Sequence, residues 1–176
     1  KSPTAEYIPC SNCSLNLVGN AAAESCATAV TFFDFVQNLY VWFSASTHRW
    51  AILEQHLKEN SLSVKKVSDT RWSARADAVL ALKKSYKEIK AALSDASADA
   101  SQKPVAKAEA KALVKKMEQY EIALMTVLWN SLLQRINATS KSLQDPILCL
   151  SKVVELFKSL IIFFQTVREN FPKIEM

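Results

Sequence analysis

Two cysteines three residues apart, Cys10 and Cys13, are the first residues in the chain whose types and spacing could do chemistry. A pair of thiolates at that spacing can grip zinc, but a structural zinc site needs four ligands. The remaining candidates are Cys26, His48 and His56, and the sequence holds no second Cys-x-x-Cys and no His-x₃-His. The other reading is a pair of free thiols packed as small apolar groups. A thioredoxin-like redox role calls for a βαβ surround, and no such pattern flanks the pair. The expectation is a chain without a bound metal or other cofactor.

His48 and His56 are the only imidazoles available to a nucleophilic mechanism, and neither sits in a recognisable motif. Metal-assisted phosphoryl transfer needs clustered carboxylates. Asp34, Asp69 and Asp77 are scattered and read as surface groups and helix caps. No active site is expected here, so the chain is read as a non-enzyme.

The segment Ser68-Asp69-Thr70-Arg71-Trp72-Ser73-Ala74-Arg75 is more distinctive. Arginine forks match phosphate geometry, an indole can stack on an unpaired base, and a helix N-terminus adds N–H donors. The alternative is that Trp72 anchors a core and Arg71 pairs within the protein, since tryptophan is highly buried on average. Lys65 and Lys66 precede this segment. Lys103, Lys107, Lys111 and Lys115 recur every fourth residue and would wind slowly around one helix. They could track a phosphate backbone, or they could be the solvated face opposite an apolar stripe. The candidate DNA contacts are therefore Arg71, Trp72, Arg75, Lys65, Lys66, Lys103 and Lys107. Asn137-Ala138-Thr139 matches the glycosylation sequon and is read as chance, because the first residues lack an apolar signal region.

Charge supports the same region. Residues 1–60 carry 3 Lys/Arg against 5 Asp/Glu, residues 61–120 carry 13 against 7, and residues 121–176 carry 6 against 5. The excess of positive charge thus sits in the middle third, where a local field would steer polyanions.

The elements that must position these residues are helices. The 176 residues include one glycine, where average usage would give about twelve. Hairpins and tight βα turns need glycine for positive φ, and neither GxGxxG nor GxxxxGK[ST] can be written with one. A single all-α domain over residues 1–176 is expected. It is 49% hydrophobic and 22% charged, which is a globular composition. No apolar run is long enough to span a bilayer. The start, Lys1-Ser2-Pro3-Thr4, lacks an initiator Met and reads as a fragment or processed chain with reduced cysteines.

Helical spacing predicts an extended stretch over 1–9 and helices over 12–25, 26–44, 47–59 and 72–93, the last capped by Thr70 or Ser73. Gly19 falls inside the first, where it implies close packing against a neighbour. Residues 94–103 read as a flexible loop. Pro104 then opens one long helix of up to about 40 residues, roughly 60 Å. Asp145-Pro146 caps a last helix that Pro172 ends.

Three segments together resemble a known family. Cys10-Ser11-Asn12-Cys13-Ser14-Leu15-Asn16-Leu17-Val18 is similar to the Cys-x-x-His-x-Leu-Asn-Leu-Val signature of hAT-superfamily transposases. Cys13 stands where that family has histidine. Phe43 to Leu53, with Thr47-His48-Arg49-Trp50 at its centre, resembles the segment that follows. Asp69-Thr70-Arg71-Trp72-Ser73-Ala74-Arg75 resembles the Thr-Arg-Trp motif of the branch containing zinc-finger MYM-type proteins and related domesticated transposases. That resemblance implies a helical insertion of an RNase H-like transposase, cut away from the metal-binding acidic triad. It also implies a nuclear protein that contacts DNA through Arg71 and Trp72, the latter holding a flipped or hairpin base, and that self-associates. The alternative is a domesticated protein-interaction scaffold with no DNA role.

Overall fold

A computed structural model of the chain describes residues 10–68 and 72–174, with side chains through Asn170. The extended stretch expected over 1–9, and Asp69, Thr70 and Arg71, lie outside the described residues. The fold is all-α, with eight helices and no strand among the described residues: α1 Ser11–Glu24, α2 Ala27–Ser44, α3 Thr47–His56, α4 Trp72–Lys84, α5 Tyr86–Ala98, α6 Pro104–Met117, α7 Tyr120–Ser142 and α8 Leu150–Ile174.

The helices pack in two groups. In one, α4 lies along α7, with α1 and α8 flanking; in the other, α5 lies between α3 and α6. Helix α2 joins them, touching α1, α3, α4 and α7. This role suits its sequence. It is apolar nearly all round, and Phe32, Phe33, Phe35, Val36, Leu39, Trp42 and Phe43 are all buried.

Helix starts follow local chemistry. Ser46 caps α3, its Oγ accepting from the Arg49 N–H at 3.5 Å. Pro104 occupies the first turn of α6, as expected.

Four boundaries differ from the sequence reading, each for a tertiary or turn reason. The helix expected over 72–93 divides at Ser85, whose buried Oγ accepts from the Leu62 N–H at 2.7 Å and donates to the Leu62 carbonyl at 2.8 Å. Ser85 thus serves as a sheet-like partner for the extended segment 57–68, and the axis breaks there. The loop expected over 94–103 is shorter. α5 continues through Ala98 because Ala92, Leu93 and Ala96 are all fully buried, leaving only Asp99–Lys103 as the connection. The single long helix from Pro104 is two helices. Gln119 takes an extended conformation (φ −74°, ψ 130°), and the Tyr86 hydroxyl donates to the freed Met117 carbonyl at 2.7 Å. Finally, Asp145-Pro146 opens a turn rather than a helix. The Asp145 carboxylate accepts from the Ile147 N–H at 3.0 Å and the Asp145 carbonyl from the Leu148 N–H at 3.1 Å, so α8 starts only at Leu150 and runs through Pro172 to Ile174.

Gly19 meets the expectation of close packing. A Cβ there would lie 2.6 Å from the indole of Trp72, closer than any real side chain tolerates. No helix among the described residues is long and apolar enough to cross a membrane.

Candidate nucleic-acid interface

Trp72 opens α4, and its side chain is 2% exposed. The ring lies against Gly19 of α1 and stacks on Trp129 of α7, with centroids 6.3 Å apart and planes at 16°. Its Nε1–H donates to the Asn16 carbonyl at 3.2 Å. In this arrangement the indole is a wedge among α1, α4 and α7, and no face is open to a base. Arg75, one turn on, is 6% exposed. Its guanidinium lies over Phe33 at 4.8 Å and over Trp72 at 5.1 Å, and its Nε donates to the Ser68 carbonyl at 3.3 Å. Stacking on two aromatic faces offsets part of the desolvation of a buried cation.

The lysines behave differently. Lys65 and Lys66 are exposed, on a segment held down by buried Val64 and Val67 and by the Val67 N–H donating to Gln37 Oε1 at 2.9 Å. Lys66 and Arg75 line one cleft of about 290 Å³, but Glu24 and Asp34 line it too, so its charge is balanced. Lys103 precedes the first turn of α6 and Lys107 follows one turn later, with Lys111 and Lys115 beyond; Lys107 is half-buried and the others are exposed. The structure therefore separates the candidates into an interior pair, Trp72 and Arg75, and lysines on two different elements, of which Lys107 is half-buried and the rest exposed.

A second cleft, of about 510 Å³, opens where α1, α4 and α7 meet. Helix α1 supplies Asn12 and Asn16, α4 supplies Ser73, and α7 with the turn after it supplies Asn137, Ser140, Lys141 and Gln144. The edge of Trp72 reaches it as well. Ser140 Oγ donates to Asn12 Oδ1 at 2.6 Å, and Gln144 Nε2 donates to Ser140 Oγ at 3.5 Å. Four carboxamides and one ammonium face this space, and among the described residues no carboxylate lines it. Carboxamides pair with base edges, while an ammonium and the N–H groups of a helix start favour phosphate. Sequence reading missed Asn12, Asn16, Lys141 and Gln144 as a set, because they converge from positions more than 100 residues apart. Asn137 was noticed only as part of a sequon.

The imidazoles hold α3 to α5. His48 Nε2 lies 2.7 Å from Asp99 Oδ2, and His56 Nε2 lies 2.8 Å from Asp95 Oδ2. Ser101 Oγ is 3.2 Å from the same His48 nitrogen and donates to Asp99 at 2.9 Å. A Ser-His-Asp nucleophile needs its carboxylate and hydroxyl on opposite ring nitrogens. Here both meet Nε2, so the cluster orients a helix connection and does not activate Ser101. The His48 ring and the Ser101 N–H and hydroxyl hold the Asp99 carboxyl well down, to about 2.

Cys10 and Cys13 are both exposed rather than buried. Cys10 is the N-cap of α1, and its sulfur accepts from the Cys13 N–H at 3.5 Å. Among the described residues, no group of three or more His, Cys, Asp or Glu could hold a metal ion. Compared with protein-family models, curated proteins and solved structures, the chain matches none of them.

Proposed function

We propose that this chain is a non-catalytic helical domain of a hAT transposase-like protein that binds and positions DNA in the nucleus. The observation that carries the reading is the cleft at the start of α4, where four carboxamides and Lys141 converge beside Trp72 and Ser73 with no carboxylate among the described residues. Base edges would meet the carboxamides, and phosphates would meet Lys141. Lys103 and Lys107 would add contacts that carry no sequence information. Trp72 enters this reading as the wedge that fixes α1 against α4, shaping the cleft rather than stacking on a base.

Fluorescence anisotropy with labelled duplex and hairpin DNA tests it. Binding should weaken as salt rises. Asn137→Asp, which puts a carboxylate where a base contact is proposed, should weaken binding by about 5- to 150-fold, the range of one to three kcal/mol per lost base contact, and Lys141→Glu should weaken it and lessen its salt dependence. No binding at low salt, or unchanged binding by both variants, would overturn the reading.

An interaction scaffold is favoured by a different observation. Leu17 and Val18 on α1 and Ile161 and Ile162 on α8 are more than half exposed, beside an apolar groove of about 290 Å³ between α1, α7 and α8. Light scattering at high concentration distinguishes this reading: a strict monomer counts against self-association through that surface.

A further inference from the structure

We propose that Cys10 and Cys13 are a redox-active dithiol that closes to a disulfide across the first turn of α1. The inference is independent of DNA binding. It rests on where the helix starts. Cys10 sits at the N-cap with an extended backbone (φ −60°, ψ 117°), and Cys13 is the third residue of the helix. A side chain at the N-cap folds back over that residue, and here the Cys10 sulfur reaches the Cys13 N–H. Residues three apart in a helical turn have Cα atoms about 5 Å apart, inside the roughly 4.4–6.8 Å that a disulfide spans. The bond can therefore form without unwinding the helix.

The two thiols are not equivalent. The Cys13 thiol and the Cys13 and Asn12 N–H groups all donate to Cys10, which lowers its pKa. The same hydrogen bond and the charge of Cys10 raise that of Cys13. No acidic residue stands in the first turn of α1 to oppose a thiolate at the positive end of the helix. Cys10 is thus the attacking sulfur and Cys13 the resolving one. Cys26 also precedes a helix and is exposed, but makes no capping bond through its side chain; Cys149, whose pKa the Ser151 hydroxyl and the Lys152 N–H also lower, has no second cysteine within a helical turn.

The oxidant is a low-molecular-weight disulfide. The Cys10 thiolate attacks one of its sulfurs, the S–S bond breaks, and one thiolate leaves. Cys13 then loses its proton and attacks the Cys10 sulfur, expelling the second thiolate. Two protein thiols are oxidised to one disulfide, and one small disulfide is reduced to two thiols.

Incubation of the full chain with oxidised glutathione, followed by acid quenching, alkylation and peptide mapping by mass spectrometry, tests this. The peptide holding both residues should lose two hydrogens and carry no glutathione. Cys13→Ser should trap glutathione on Cys10. Cys10→Ser keeps a good N-cap, so α1 stays formed, and it should slow the reaction at Cys13 by about tenfold or more. Stable glutathione adducts on both cysteines, a disulfide from either to Cys26 or Cys149, or zinc uptake that protects both thiols would each overturn the assignment.

Discussion

The two helix groups differ in how their interiors are filled. Around α1, α4 and α7 the interior is filled by large rings: Trp72 stacks on Trp129, Phe33 meets Trp129 edge-on at 4.9 Å, and Arg75 is laid over Phe33 and Trp72. Around α3, α5 and α6 the buried surface has no such ring cluster: aliphatic Leu53, Ile89, Leu93 and Met117 alternate with Ala92, Ala96, Ala106 and Ala110, all almost wholly enclosed. Polar ties there stay at the rim: His48 with Asp99, His56 with Asp95, Lys58 with Glu88 at 3.3 Å and Lys90 with Glu118 at 3.0 Å. A wedge-packed region takes its stability from a few side chains, so single truncations there are costly. The alanine positions between α5 and α6 have little to truncate and fail instead when something larger is inserted.

The largest expected effect follows from that contrast. Trp72→Ala removes the wedge that Gly19 was left bare to accept, and should cost about 3–5 kcal/mol in urea unfolding. A loss under about 1 kcal/mol would mean that α1 and α7 close over the space, and the comparison would fail. At the alanine positions, Ala110→Leu should cost about 1–3 kcal/mol by overpacking, while Ala110→Gly should cost only about 1 kcal/mol. The reverse order would show that the packing there has slack.

The smallest effect is pH-dependent and belongs to the rim. The folded Asp99 carboxyl titrates at about 2, below its unfolded value near 3.9. Its contribution is therefore complete above about pH 4 and is lost as pH falls through about 2. Asp99→Asn should lower the thermal midpoint near pH 6 and flatten its decline between about pH 4 and 2. An unchanged acid limb would mean that the His48–Asp99 contact is not held in solution. The aromatic region should show no comparable dependence, because Arg75, the one buried cation among its described residues, stays charged throughout.

Much of the fold is legible in the sequence. One glycine and unbroken helical spacing give an all-α chain, and Ser46, Pro104 and Gly19 each do locally what their residue type implies. Two of the misplaced boundaries share one cause. Ser85 and Gln119 are ordinary helical residues, and nothing nearby in sequence marks them as breaks. The break at Ser85 comes from Leu62, 23 residues away, and the one at Gln119 is supported by Tyr86. The candidate site was legible only in part. The Arg-Trp segment pointed to Trp72, which borders the proposed cleft, but the carboxamides lining that cleft are common residues with no spacing to connect them.

By itself the sequence determined the helices, because propensity, spacing and caps act within a few residues. It also set the cysteine spacing and the concentration of lysine in the middle third. Only the tertiary structure decided that Trp72 and Arg75 face inward while the lysines face water. It also decided that Asn12 and Gln144 share a cleft, and that the Cys10 sulfur folds over Cys13. Which face of a helix is buried, and which distant polar groups meet, depend on the packing of the whole chain. No local segment carries that information.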